Sequence, residues 1–265
     1  MTFKTWIFSD YTNNPSVNGA WGAEHITVLV FCILLCIELA FLRKASPKIR
    51  RGVSITIASI ILLFEISRRI INLIKMQNMN FDTDAALWDH LAYIMIPRPW
   101  CAISCWLTVA SVIVNKKFLY NVASMCSLLC AIIFFSYPEA GFTNEIYLFE
   151  NVYSISTHAL LLISSVTAIT LGFCDFRYYR GSLRKSALWE LIAILSIYLY
   201  ALLEIALGIE GDPLYFMPES GVAKVLGMEY GLFLPFYIIF VILYFNLFYL
   251  FTIPKARKMK QIITE

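Results

Sequence analysis

The sequence predicts an all-α, polytopic membrane protein built as a bundle of seven transmembrane helices. Three observations lead there. Hydrophobic residues make up 60% of the 265-residue chain and charged residues only 15%, more apolar surface than a soluble domain of this length can hide. The apolar residues gather into seven stretches long enough to cross a hydrocarbon core of about 30 Å at about 1.5 Å per residue. The loops between them are short or moderate, so the chain reads as one transmembrane domain over 1–265.

The expected spans are 25–42, 53–72, 91–114, 118–136, 154–174, 186–207 and 231–253. Residues 1–24 are polar and aromatic, without the basic start or small-residue cleavage site of a signal peptide. Basic residues set the orientation. Arg43, Lys44, Lys48, Arg50 and Arg51 follow the first span, and Lys116 and Lys117 follow the third. Arg177, Arg180, Arg184 and Lys185 follow the fifth, and Lys255, Arg257, Lys258 and Lys260 follow the seventh. The alternate loops hold acids instead, among them Asp82, Glu145, Glu150 and Asp212. This bias puts the N-terminus outside, the C-terminus inside and the chain in the cell membrane. The seven cysteines include three pairs at i,i+4, with no CxxC pattern and no long polar loop to carry a disulfide framework.

The third span is interrupted by Pro97-Arg98-Pro99. Proline lacks a backbone N–H and disfavours helix in the residue before it, so a helix should restart at Pro99. Cys101 then falls in the first turn, at the positive end of the helix dipole and near Arg98, surroundings that favour a thiolate nucleophile. Cysteine is also a small apolar residue common in membrane helices, so packing alone is the competing explanation.

Charged and polar groups at membrane depth are costly unless paired or wetted, which makes each a candidate for function. Following the topology, His25, Glu65, Arg68, Arg69, Cys101, His158 and Glu204 fall in one layer, in the outer half of the bilayer. Glu65 stands at i,i+3 and i,i+4 to the two arginines, an arrangement that also suits a purely structural ion pair. Together these residues suggest a polar cavity with a thiol, an imidazole and cations fit for a phosphate group.

Several short motifs resemble the YwaF-type bacterial membrane proteins, which are related to an animal transmembrane acyltransferase of ether phospholipids. They are Trp21-Gly-Ala-Glu-His25 at the first helix, Pro97-x-x-x-Cys101 entering the third, and Ile155-Ser-Thr-His158-Ala-Leu opening the fifth. The loop Gly211-Asp-Pro-Leu-Tyr215-Phe-Met-Pro218 follows the sixth. The resemblance implies Cys101 as nucleophile and His158 as its histidine partner. This chain departs from the family pattern at Pro99, where the family carries histidine, and at Glu204, where it favours asparagine.

The expected function is therefore an intramembrane acyltransferase on phospholipid or lysophospholipid. Cys101 would form a thioester, His158 would move protons, and His25, Glu65, Arg68, Arg69, Arg98, Glu204 and Tyr215 would bind substrate. No cofactor, metal or nucleic acid is expected. The alternative is a non-enzymatic binder or carrier of a small solute or lipid. A zinc hydrolase using His25, His90 and His158 is a weaker reading, since no HxxxH or HExxH pattern is present. A retinal protein is disfavoured because the last span carries no lysine.

Overall fold

The computed structural model describes residues 21–77, 79, 81, 83–97, 100–136, 142, 148–174, 176 and 227–250. Among them every regular element is helical. The helices are α1 (Ala23–Phe41), followed by a 3₁₀ turn (Leu42–Lys44), α2 (Pro47–Met76), α3 (Asp84–Met95), α4 (Trp100–Val114), α5 (Lys117–Ser136), α6 (Phe149–Thr170) and α7 (Tyr230–Leu250). Three are long and apolar enough to cross a membrane: Ala23–Lys44, Lys117–Ser136 and Phe149–Thr170. The chain divides into two compact units, 1–174 and 175–265. The sixth expected span at 186–207 lies outside the described residues, as do Arg98, Glu204 and Tyr215.

Local chemistry explains the boundaries. Ser46 caps α2 by accepting from the Ile49 N–H, and Pro47 occupies its first turn, where a missing N–H costs nothing. Thr83 caps α3 in the same way through the Ala86 N–H. Helix α3 stops at Met95, and Ile96 before Pro97 is extended, as a residue preceding proline must be. The expected break in the third span is therefore real, but it separates two helices. The first begins at Asp84, earlier than the apolar run suggests, because the Thr83 cap extends it. The second, α4, is about 22 Å long at 15 residues. Helix α6 ends in a Schellman motif: Gly172 takes φ +82°, and Phe173 N–H reaches back to the Ala168 carbonyl.

In the first unit α2, α4, α5 and α6 pack together, with α1 laid against α6. The interior is unusually rich in small polar residues. Ser104 meets the Cys130 thiol at 3.3 Å, Thr108 meets Ser127 at 3.0 Å, and Ser165 donates to the Ser124 carbonyl at 2.7 Å. Small residues let helix backbones approach closely, and their hydroxyls bond across the interface where lipid offers no alternative partner. The outside is the reverse. Helix α1 buries His25, Cys32 and Cys36 and exposes Phe31, Leu34, Ile37 and Phe41. Helix α2 likewise exposes Ile55, Leu63, Ile66 and Ile70. An apolar core threaded with hydrogen-bonded hydroxyls, inside an apolar coat, suits a lipid solvent. In the second unit α7 buries Phe233, Tyr237, Val241 and Tyr244 on one face and exposes Leu232, Phe236, Ile239 and Leu243.

The basic residues at the start of α2 hold one end of this bundle. Arg50 Nη1 donates to the Leu171 carbonyl at 2.7 Å, the last acceptor of α6. Arg51 donates to Asn115 Oδ1 at 3.1 Å, to Tyr120 Oη at 2.7 Å and to the Val112 carbonyl at the end of α4. Two arginines thus satisfy the exposed carbonyls, and the negative dipole ends, of two helices.

Candidate functional site

The opposite end of the bundle carries the charges expected at membrane depth. Glu65, three and four residues before Arg68 and Arg69 on α2, is 1% exposed, and three groups converge on it. Arg69 Nη1 lies 2.5 Å from Oε2, the Tyr153 hydroxyl of α6 donates to Oε1, and the Cys105 thiol of α4 lies alongside. The expected i,i+4 pair is therefore present and belongs to Arg69. Arg68 turns instead to Glu150 on α6, Nε to Oε2 at 3.9 Å, and lays its guanidinium over the Tyr153 ring at 5.0 Å. Lys75 shares the same carboxylate, Nζ to Oε1 at 3.4 Å. Arg69 covers the Trp106 ring of α4 at 5.1 Å. These contacts form a ladder across three helices, from Lys75 through Glu150, Arg68, Tyr153, Glu65 and Arg69 to Trp106. Each cation is satisfied by a carboxylate, a ring face or both, which offsets the cost of removing it from water.

Cys101 occupies the first turn of α4, as the proline break predicts, and is only partly buried. It stands within electrostatic reach of Arg68 and Glu65 and beside Cys105 and Cys130. Trp100 fixes this turn by donating from Nε1 to the Cys126 carbonyl at 3.3 Å.

The two histidines go elsewhere. His158 directs Nδ1 to the Ser154 carbonyl at 2.7 Å and stacks on Phe134 at 3.9 Å and 8°. That bond places the proton on Nδ1 and leaves Nε2 as the basic nitrogen. Phe134 also packs against Phe135 and Phe142, and these two flank His25 at 5.9 and 4.7 Å. Trp21 closes the other side of His25 at 4.8 Å. His25 is 1% exposed, and among the described residues neither ring nitrogen makes a hydrogen bond of ordinary geometry, although the Phe135 backbone lies close. Thus the expected single constellation is two neighbouring groups: a charged ladder with Cys101, and an aromatic box with both histidines. No hydrogen bond joins Cys101 to His158.

His90 packs against Phe81 at 5.5 Å on α3, away from the aromatic box. Among the described residues no group of three or more metal-ligating side chains gathers, so the zinc arrangement of His25, His90 and His158 does not form there.

Three members of the ladder escape a reading by hydropathy: Lys75, Glu150 and Tyr153. A usable signal was present, since Arg68 and Lys75 are seven residues apart and share a helix face, and Glu150 and Tyr153 do so at i,i+3.

The fold and the site define a helical protein with an apolar coat, membrane-length helices and a buried charged layer at one end. No family model matches the chain, and neither does any curated protein or solved structure.

Proposed function

We propose that this chain is an intramembrane lipid acyltransferase with Cys101 as nucleophile. It would cross the cell membrane seven times, with the N-terminus outside and the Cys101 end of the bundle in the outer leaflet. The observation that carries the reading is the position of Cys101: a partly buried thiol in the first turn of a helix restarted after a proline break, within reach of the Arg68 charge.

In the proposed reaction the Cys101 thiolate attacks the ester carbonyl of a phospholipid. The ester C–O bond breaks, an S–C bond forms, and the departing lysolipid alkoxide takes a proton from the His158 imidazolium. An acceptor hydroxyl then attacks the thioester and gives its proton back to His158 Nε2 as the thiolate leaves. Because His158 is stacked on Phe134 and bonded to Ser154, its approach to Cys101 requires either a ring movement or an intervening substrate hydroxyl. Acyl chains would lie along the apolar helix faces.

Intact-mass measurement of the full chain after incubation with phospholipid should show an acyl adduct, absent in Cys101→Ser. Retention of function in Cys101→Ser would instead favour a binder or carrier, the reading that the missing thiol–imidazole hydrogen bond supports. For topology, a thiol introduced by Ser46→Cys should react with an impermeant maleimide only after the membrane is opened. Labelling in intact cells would reverse the orientation.

A further inference from the structure

We propose that Arg68 and Lys75 form a subsite for the phosphate of a phosphate ester, and that the Glu150 carboxylate occupies this subsite until the ligand displaces it. The inference deepens the lipid reading by naming the group recognised and the residues that recognise it.

The geometry separates two kinds of ion pair on α2. Arg69 is held by Glu65 at 2.5 Å, and the same carboxylate is secured by the Tyr153 hydroxyl and is 1% exposed. That pair is closed. Glu150 meets Arg68 at 3.9 Å and Lys75 at 3.4 Å, and all three side chains keep about a fifth of their surface open. Two cations share one carboxylate at long range. A phosphodiester brings one negative charge and offers more acceptor oxygens than a carboxylate, which suits a guanidinium and an ammonium together.

The backbone adds to this. Arg68 and Lys75 are seven residues apart, on one face of α2 and about 10 Å apart along its axis. Glu150 lies in the first turn of α6, where the helix dipole already favours an anion. A phosphate replacing the Glu150 carboxylate would therefore meet the same positive end. Partly open cations at the end of a bundle whose flanks are apolar lie where a lipid headgroup meets its acyl chains.

The test is binding by the purified full-length chain in detergent, read as ligand-dependent thermal stabilisation. The probes are short-chain phosphatidylglycerol, the diacylglycerol with the same chains, and inorganic phosphate. Phosphatidylglycerol should stabilise the protein and diacylglycerol should not. Lys75→Gln should weaken that binding about tenfold, and Glu150→Gln, by removing the competing carboxylate, should strengthen it several-fold. Should Glu150→Gln fail to accumulate, Glu150→Asp withdraws the carboxylate by one methylene and should give a smaller gain. Stabilisation by phosphatidylglycerol alone identifies a lipid headgroup site. Stabilisation by inorganic phosphate as well, with the same response to the variants, identifies a site for free phosphate. The proposal is overturned if neither phosphate stabilises the chain, or if Glu150→Gln leaves binding unchanged or weaker. Cys101→Ser should bind normally, so a failure of the acyl-transfer chemistry and a failure of this subsite give different results.

Discussion

The two ends of the first unit both rely on a pair of adjacent arginines on α2, and they use them in opposite ways. Arg50 donates to the Leu171 carbonyl at the end of α6, and Arg51 to the Val112 carbonyl at the end of α4 as well as to the Asn115 and Tyr120 side chains. The two carbonyls are part of the helix ends and cannot leave without unravelling them. Arg68 turns to the Glu150 carboxylate and the Tyr153 ring, and Arg69 to the Glu65 carboxylate, the carbonyl of the same residue and the Trp106 ring. Side-chain acceptors can rotate away and be replaced by a ligand. The comparison separates arginines locked into the bundle, Arg69 with its closed Glu65 pair included, from Arg68, whose pair with Glu150 is longer and partly open, although sequence and hydropathy treat them alike.

The largest effect should come from opening the tighter side-chain pair. Arg69→Ala leaves Glu65 buried without its cation and should cost about 3–5 kcal/mol, seen as lost abundance and a lower unfolding temperature. Adding Glu65→Gln should recover much of that loss. If Arg69→Ala is tolerated, Glu65 is not held charged by Arg69 and the ladder is misread.

Arg51→Gln should come next, at about 2–3 kcal/mol, because it strips a charged donor from the end of α4 and from Tyr120. The proposed acyl transfer should fall only in proportion to folded protein. Arg68→Gln should behave in the contrary way, with activity per mole of folded protein falling more than abundance. Equal behaviour of Arg51→Gln and Arg68→Gln would erase the distinction between the two ends.

Tyr153→Phe removes one hydroxyl from Glu65 while keeping the ring under Arg68, and should cost about 1–2 kcal/mol. The smallest change is expected from Thr108→Val, which deletes the 3.0 Å bond to Ser127 between α4 and α5. Hydroxyl pairs between membrane helices average about 0.6 kcal/mol, so the shift should be just measurable by denaturant or thermal unfolding. A larger loss would mean that the polar interior, more than the arginine caps, carries the stability of the bundle.

The all-helical class, membrane-length helices at Ala23–Lys44, Lys117–Ser136 and Phe149–Thr170, and the proline break were legible in the sequence because each depends on local physics. Apolar run length sets a membrane-length helix, and a missing N–H at Pro97 stops one wherever it occurs. The i,i+4 relation of Glu65 and Arg69 was legible for the same reason, since one helix contains both residues. What required the tertiary structure was every partner on another helix. Glu65 stands at the right spacing for either arginine, and only the arrival of Tyr153 and Glu150 on α6 assigned one to each carboxylate. Sequence can set an expected depth for His158 and Cys101, but not a direction, which depends on how each helix is rotated against its neighbours. Rotation is decided by packing. Phe134 draws the His158 ring toward α5, while Ser104 and Thr108 seat α4 against the hydroxyls and thiol of the same helix, and hydropathy along the chain carries no term for either contact.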